Sequence, residues 1–367
     1  MARAHNFNAG PGALPDSVLV ELQAAVLEFG KTRAGIMEIS HRSKAFEAVL
    51  ESAQARLRRL LGVPEGWAIL FQQGGASLQF HVLSLNLALP GEAPAFVDTG
   101  TWSTKAYEEA QRLCQPRKAW SGKGNAYTFI PSDAELDASA VAAAPWVHYT
   151  TNNTIRGTQF HRVPALGKPL LADMSSDICS RPVDVGAHEA IYAGAQKNLG
   201  PSGVTVVLLS PWALARQAEV KAARGGLPPM LDYAVQVENN SLYNTPSTFG
   251  IFALERVLAW VEAGGGLGPM AEKNTRKADL LYSELDRSPF WRCPVRPDSR
   301  SQMNVVWRLP TEDLEERFLK EADAAGFLGL KGHRSVGGCR ASLYNAVEPA
   351  SVEALVAFMR DFEAKNG

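Results

Sequence analysis

Short apolar runs alternate with helical patterns from about residue 50 to residue 209. Strands are predicted at "WAILFQ", "APAFVDTG", "PWVHYTT", "PLLADMSSD" and "GVTVVLL". The segment "ASLQFHVLSLNLAL" instead has apolar residues at helical spacing, at Leu78, Val82, Leu85 and Leu89. This alternation is typical of an α/β fold in which helices cover both faces of a mostly parallel sheet. Such sheets bind ligands beyond the carboxyl ends of their strands.

The pattern changes after about residue 260. The helix "GIFALERVLAWVEA" is followed by a glycine-rich hinge, "GGGLGPM", from Gly264 to Met270. A long helix, "AEKNTRKADLLYSEL", then precedes the strands "MNVVWRL" and "CRASLYN". We therefore expect a large ligand-binding domain over residues 16–262. Residues 263–367, together with residues 1–15, are expected to form a smaller α+β domain.

Composition excludes several classes of protein. The 367 residues are 46% hydrophobic and 20% charged, with a formal net charge of −1, which is an ordinary globular composition. We expect no nucleic-acid partner, because the chain has no block of like charges, and no membrane partner, because no run of about 18 apolar residues occurs. The 4 cysteines lack paired spacing, so we expect no metal site and a reducing, cytoplasmic location.

Lys197 is the first candidate for chemistry. It lies in "IYAGAQKNLGPSGVTVVLL", between small residues and a strongly apolar predicted strand. Burial penalises the charged ammonium form and lowers the pKa of a lysine, which makes the amine a nucleophile. The other interpretation of this stretch alone is a solvated loop lysine before a core strand.

Three further strand ends carry polar or aromatic residues. The turn "QQGGAS" presents Ala76 and Ser77 at a helix start, where backbone N–H groups can hold a phosphate. Trp102 follows the second predicted strand, and Asp173 ends the fourth, where a buried carboxylate needs a partner. A lysine for an aldehyde and a carboxylate for a ring nitrogen are what a pyridoxal phosphate enzyme requires.

The motifs extend this interpretation over nearly the whole chain. They are "NFNAGPGALP", "EISHRSKAFE", "QQGGASLQF", "TGTWSTKA", "HYTTNNTIRGTQF", "ADMSSDICSRPVDV", "YAGAQKNLGPSGV", "YNTPSTFGIF" and "GLKGHRSVGGCRASLYNAV". In this set the sequence resembles the phosphoserine aminotransferase family, in the class-V group of fold-type-I pyridoxal phosphate enzymes. The resemblance implies one pyridoxal 5'-phosphate per subunit, attached covalently to Lys197.

The resemblance also implies roles for the residues around the cofactor. Lys197 and Asp173 would be the catalytic residues, with Asp173 paired to the ring nitrogen. Trp102 would stack on the ring and Thr154 would touch its phenolic oxygen. The phosphate would be held by the Ala76 and Ser77 amides, by Gln196 and, from the partner subunit of a homodimer with shared active sites, by Asn244 and Thr245.

The implied reaction is a ping-pong amino transfer from L-glutamate to 3-phosphohydroxypyruvate, which gives 2-oxoglutarate and O-phospho-L-serine for serine biosynthesis. Phosphohydroxythreonine chemistry, which serves vitamin B6 synthesis, stays open. Arginine suits both substrates because its planar fork binds carboxylate or phosphate. By resemblance, Arg340 would bind the α-carboxylate. The distal anion would be bound by His41, Arg42, His333 and Arg334.

Four rival interpretations exist. The first is a non-catalytic relative that keeps the fold, although Lys197, Asp173 and the arginines together are costly to stability without a ligand. An alanine– or serine–glyoxylate aminotransferase is the main alternative, although its substrate has no distal anion for His333 and Arg334. A cysteine desulfurase needs a mobile cysteine, whereas Cys339 lies in the tight segment "GGCRAS". A Rossmann dehydrogenase would need the G-x-G-x-x-G spacing, which "QQGGAS" lacks.

Overall fold

The computed structural model describes residues 3–367. Its centre is a seven-stranded sheet with the order β2-β10-β9-β8-β5-β3-β4, in which β10 is antiparallel to both neighbours and every other pair is parallel. The strands are β1 (His5–Asn6), β2 (Ala68–Gln72), β3 (Ala95–Asp98), β4 (Arg117–Ser121), β5 (Val147–Thr150), β6 (Asn152–Asn153), β7 (Thr158–Gln159), β8 (Leu170–Asp173), β9 (Ala190–Gly194), β10 (Thr205–Leu209), β11 (Asn304–Trp307), β12 (Phe327–Leu328) and β13 (Cys339–Ser342).

Helices cover both faces of this sheet and continue into the C-terminal part. The α-helices are α1 (Asp16–Leu27), α2 (Lys44–Leu61), α3 (Gly75–Leu87), α4 (Thr101–Ala110), α5 (Ala138–Ala143), α6 (Pro211–Ala223), α7 (Tyr233–Glu238), α8 (Thr248–Ala263), α9 (Leu267–Arg287), α10 (Glu312–Ala324) and α11 (Pro349–Asn366). Short 3₁₀ helices span Gly122–Asn125, Asp133–Glu135, Val185–Ala187, Pro229–Leu231 and Pro297–Ser299.

The sheet is buried on both faces because successive side chains of each strand point to opposite sides. In β10, Val206 and Leu208 pack into a core with α1, α2 and α8. Val207 and Leu209 of the same strand pack into a second core with α3, α4, α6 and α7. The run of apolar residues in β10 therefore reflects a strand with two covered faces, as the α/β interpretation requires.

A third core lies in the C-terminal part of the chain. It is built from α10, α11, β11, β13 and the second half of α9, with Trp291, Trp307 and Phe318 at its centre. Phe7 from the N-terminal segment belongs to this core. The first turn of α9 packs into the sheet core through Leu267 and Met270, so this helix joins the two parts. The division at residues 262 and 263 stays a prediction.

The predicted α/β class with a mostly parallel sheet is confirmed. Two strands of the seven-stranded sheet had no prediction, β4 and β9, and neither did the two-residue strands β1, β6, β7 and β12. The small residues of β9, Ala190–Gly194, have weak strand propensity, but burial against neighbouring strands outweighs it. Helix α9 begins at Leu267 rather than after the predicted hinge, because Pro269 fits in a first helical turn. No helix within residues 3–367 has the length and apolar character needed to cross a bilayer.

Candidate active site

A cavity of about 440 Å³ opens at the edge of the sheet where β2, β3, β5, β8 and β9 have their carboxyl ends. Parallel strands bring residues that are distant in sequence to this one edge. The cavity is lined by Ala9, Gly10, Gly74, Gly75, Ala76, Ser77, Phe80, Trp102, Thr150, Asn152, Thr154, Ile155, Asp173, Ser175, Ser176, Gln196, Lys197, His333 and Arg340. Nine of the fourteen residues predicted for the site are therefore brought together.

Lys197 lies in the turn between β9 and β10, partly buried within the cavity wall. Its Nζ donates a 2.8 Å hydrogen bond to Oγ1 of Thr154, which lies in the turn between β6 and β7. Burial lowers the pKa of Lys197 to about 8, although the negative charge of Asp173 opposes this shift. Near neutral pH a fraction of the amine is therefore unprotonated and nucleophilic.

Asp173 is the last residue of β8 and is 4% exposed. Its Oδ1 accepts a 2.9 Å hydrogen bond from the backbone N–H of Ser175. Burial raises the pKa of Asp173, while Ser175 and the charge of Lys197 act in the opposite direction. A buried carboxylate of this kind gains free energy when a cationic or protonated group is placed against it.

The turn after β2 forms a cradle for an anion. Gly74 and Gly75 adopt φ angles of 89° and 65°, a region that side-chain-bearing residues avoid. They direct the chain into α3, whose first backbone N–H groups, including those of Ala76 and Ser77, have no partner one turn earlier in the helix. The side chain of Gln196 lies over Gly194, where an added Cβ would be 2.6 Å from its Oε1.

Trp102 lies in the first turn of α4, after β3, and contributes one wall. Its ring centroid is 6.4 Å from that of Phe80, and its Nε1 is buried without a hydrogen-bond partner. Lys105 Nζ lies 5.0 Å from the ring centroid. The indole is thus a planar surface within the cavity with an unused donor.

Arg340 and His333 bring positive charge from the C-terminal core to the same cavity. Arg340 is in β13, and its Nη1 donates a 3.3 Å hydrogen bond to the carbonyl of Thr154. Its Nε is buried without a partner, and burial lowers the pKa of the group. His333 is partly buried, and its Nδ1 lies 2.8 Å from Ser335 Oγ. The guanidinium is available for a carboxylate.

The N-terminal segment closes the cavity near Lys197. No single residue of this segment was predicted from the sequence to line the site. The N–H of Gly12 donates a 2.8 Å hydrogen bond to the carbonyl of Gln196. An added Cβ on Gly12 would lie 2.8 Å from Tyr344 Cδ2, so only glycine fits. The signal was the "NAGPG" motif, whose glycines indicate close backbone approach. The polar wall residues Asn152, Ser175 and Ser176 had no distinguishing pattern.

The other five predicted site residues lie outside this cavity in the single chain. Arg42 and Arg334 are exposed, and His41 is partly buried before α2. Asn244 and Thr245 lie before α8, and Gln73 Nε2 donates a 3.3 Å hydrogen bond to the Thr245 carbonyl. Their assigned roles, like those of the nine residues in the cavity, stay predictions.

The residues present fit pyridoxal phosphate. The helix start offers unpaired N–H groups to a phosphate, and Asp173 offers a buried carboxylate to a ring nitrogen. Trp102 offers a flat face, and Lys197 offers an amine of lowered pKa to an aldehyde. All four lie around one cavity, large enough for the cofactor and a small substrate.

Comparison with known proteins agrees with this geometry. The family model described as "Aminotransferase class-V" matches residues 4–355. A phosphoserine aminotransferase from Geobacillus kaustophilus is 51% identical over 366 residues, which are 100% of this chain and 99% of that protein. The solved phosphoserine aminotransferase from Bacillus circulans subsp. alkalophilus is 46% identical with a TM-score of 0.92, and covers 100% of this chain and 99% of its own.

A further solved structure bears on the cofactor. It is a phosphoserine aminotransferase from Trichomonas vaginalis with pyridoxal phosphate bound. It is 36% identical with a TM-score of 0.91, and the alignment covers 98% of this chain and 100% of that one. The similarity thus extends through the sheet, the cavity and the C-terminal core.

Proposed function

The chain belongs to the class-V aminotransferase family, and we propose from this premise that it transfers an amino group between L-glutamate and 3-phosphohydroxypyruvate. The products are 2-oxoglutarate and O-phospho-L-serine, so the enzyme serves serine biosynthesis. Relatives that are about 50% identical over the full length of the chain are named phosphoserine aminotransferase. The observation that carries the proposal is the single cavity shared by Lys197, Asp173 and Arg340.

Pyridoxal phosphate is the cofactor, and when bound it supplies an electron sink for the pair left by breaking the substrate Cα–H bond. We infer that Lys197 carries it covalently and that Asp173 faces its ring nitrogen. Trp102 would support the ring. The amides of Ala76 and Ser77 would hold the phosphate together with Gln196.

Lys197 Nζ is the group best placed to move the substrate's Cα proton. Its pKa of about 8 keeps part of the amine unprotonated near neutral pH and still lets it hold a proton between two steps. The Thr154 hydroxyl accepts a hydrogen bond from Nζ and fixes its direction. The buried carboxylate of Asp173 favours a proton on the nitrogen that it faces.

Two charged ends distinguish the proposed substrates from those of related enzymes. Arg340 would bind the α-carboxylate in a bidentate manner. His333 lines the same cavity and would face the distal carboxylate or phosphate, with Arg334, His41 and Arg42 as further contacts. A glyoxylate aminotransferase would leave this positive charge without a partner. A desulfurase is disfavoured because Cys339 is 1% exposed within β13 and burial raises the pKa of its thiol.

We further propose a homodimer with shared active sites in the cytoplasm. Asn244 and Thr245 lie at the surface near the glycine turn, and each pair would contact the phosphate bound by the other subunit. Neighbouring Tyr243 is 43% exposed, and Leu78 in the first turn of α3 is 36% exposed, as an interface would explain. The four cysteines are free thiols, as expected in a reducing compartment.

The experiment that tests the activity is product identification. The enzyme loaded with pyridoxal phosphate is incubated with L-glutamate and either 3-phosphohydroxypyruvate or glyoxylate. The proposal predicts O-phosphoserine and 2-oxoglutarate in equal amounts with the first acceptor and much slower turnover with the second. Faster amino transfer to glyoxylate would favour the alternative enzyme.

A further inference from the structure

A second cavity, of about 300 Å³, lies directly beside the one that contains Lys197. The two share three wall residues, Ile155, His333 and Arg340. We call the second cavity the side chamber. Its remaining walls come from the segment around Tyr127, from residues 292–295, from the end of β11 with Arg308, and from the loop that precedes β13. Since Arg340 and His333 line both cavities, a ligand bound in the side chamber would affect these two residues of the active site.

Five basic side chains and no acidic ones line the side chamber. Arg156, Arg292, Arg308 and Arg340 line it together with His333, and its walls contain no aspartate or glutamate. The positive charge of Arg308 is offset by Glu315, because Arg308 Nε lies 3.0 Å from Glu315 Oε1. Its Nη1 donates a 2.9 Å hydrogen bond to the Val336 carbonyl. The potential inside the chamber therefore favours an anion.

Arg156 is the cation with the clearest unused capacity. It lies in the β6–β7 turn, which also carries Thr154. The N–H of Gly157 donates a 2.8 Å hydrogen bond to the Asn153 carbonyl and closes this turn. The guanidinium carbon lies 5.2 Å from the ring centroid of Tyr127. Arg156 Nε is buried without a hydrogen-bond partner.

A cation held in this way costs free energy unless an anion offsets its lost hydration. Stacking on Tyr127 orients the planar group and leaves its edge for hydrogen bonds. His333 responds to the same neighbours. Burial lowers its pKa, and the positive charges of Arg340, Arg334, Lys105 and Arg156 lower it further, so several cations lie close to this imidazole.

We propose that the side chamber binds a small oxyanion, a phosphate or carboxylate group, through Arg156 with Arg340 and His333 on its other wall. The anion has two possible sources. It is either free in solution, as inorganic phosphate is, or the phosphate end of a substrate whose other end lies near Lys197. The second source rests on the proposed function, while the first does not.

The test uses inorganic phosphate as the probe and the enzyme loaded with pyridoxal phosphate, so that the cradle at the start of α3 is already filled. Calorimetry compares the wild type with Arg156→Gln, Arg156→Lys and the control Arg162→Gln. Arg162 is an arginine that pairs with Asp133 and does not line the side chamber. Thermal unfolding of each variant verifies that it is folded.

The proposal predicts that Arg156→Gln weakens phosphate binding at least about tenfold, which is the loss of one charge-assisted contact. Arg156→Lys keeps the charge but not the fork, and we expect an intermediate affinity. Arg162→Gln binds as the wild type does. Equal affinity in the wild type and in folded Arg156→Gln would overturn the proposal.

Kinetics then identify the source of the anion. If phosphate competes with 3-phosphohydroxypyruvate and Arg156→Gln raises KM for that substrate alone, the side chamber takes the substrate's phosphate. If inhibition is noncompetitive and KM is unchanged, it takes a free anion. Wild-type enzyme without any turnover of 3-phosphohydroxypyruvate would refute the proposed function, whereas the calorimetric result would still decide on the oxyanion site.

Discussion

Lys197 Nζ donates its hydrogen bond to the Thr154 hydroxyl at 2.8 Å, rather than to a carboxylate. The two residues are 43 positions apart and meet because the β6–β7 turn folds over the turn between β9 and β10. A hydroxyl holds the amine in place without giving it a full counter-charge. Desolvation therefore dominates, and the pKa of Lys197 falls to about 8.

This lowered pKa predicts a pH dependence of stability for the cofactor-free protein. The folded lysine releases its proton near pH 8, whereas the unfolded one keeps it until about 10.5. Between these values the unfolded state binds more protons, so the free energy of unfolding rises with pH, by up to about 1.4 kcal/mol per unit from this group. Below about pH 8 the lysine is protonated in both states, so this group adds no further pH dependence to the free energy of unfolding.

Denaturant unfolding at several pH values measures this slope. Lys197→Met removes the titrating group, and we expect its stability to rise less between pH 8 and 10 than that of the wild type. Identical slopes for the two proteins would contradict a lowered pKa at Lys197.

Asp173→Asn should separate activity from stability. The carboxylate is buried with a raised pKa, so removing its charge should leave the cofactor-free protein equally or more stable. Turnover should fall by about 100-fold or more, since a buried electrostatic partner of the reacting system is lost. Melting temperatures and kcat are measured together.

The control is Asp133→Asn, which removes a partly exposed carboxylate paired with Arg162 and should change kcat little. Near wild-type turnover of Asp173→Asn would refute the assigned role.

The cofactor cradle is tested by a pair of glycines. In Gly194→Ala the new Cβ would lie 2.6 Å from Gln196 Oε1 and would displace that side chain. We expect the dissociation constant of pyridoxal phosphate to rise about three- to tenfold, which corresponds to one lost hydrogen bond. In Gly124→Ala nothing lies within 4 Å of the Cβ, and the constant should be unchanged. Absorbance titration of the cofactor distinguishes the two outcomes.

Arg340→Lys should weaken the binding of both substrates. A lysine keeps the charge but loses the bidentate fork, so KM should rise about tenfold for L-glutamate and for 3-phosphohydroxypyruvate alike. His333→Asn should instead raise KM more for the phosphorylated substrate. Steady-state kinetics with each substrate varied in turn measures both effects. An unchanged KM for glutamate in Arg340→Lys would refute the proposal that Arg340 binds the α-carboxylate.

The sequence predicts much of this architecture because strand and helix periodicities alternate strongly between residues 50 and 209. It also predicts that Lys197 and Asp173 meet, since both follow strands of one parallel sheet. Lys277 shows the limit of such reasoning. It lies in the helical pattern of α9, yet it is 1% exposed and its Nζ donates to the carbonyls of Leu343, Tyr344 and Val347. Nothing in the local pattern separates a buried structural lysine from a solvated one.

The side chamber could not be predicted for a similar reason. Its cations come from separate segments, and only folding places Arg156 beside Arg308 and Arg340. A single arginine in a turn is usually a surface charge. The proposed contact of Asn244 and Thr245 with a second subunit depends on a surface that one chain does not define.

The central claim is that one cavity performs both halves of an amino transfer with Lys197 as the attachment point of the cofactor. The most direct measurement is the absorbance spectrum of the enzyme loaded with pyridoxal phosphate, titrated with L-glutamate and then with 3-phosphohydroxypyruvate. The account predicts that the yellow band disappears with the first and returns with the second. A yellow band that does not respond to glutamate, or Lys197→Ala enzyme that shows wild-type turnover, would contradict it.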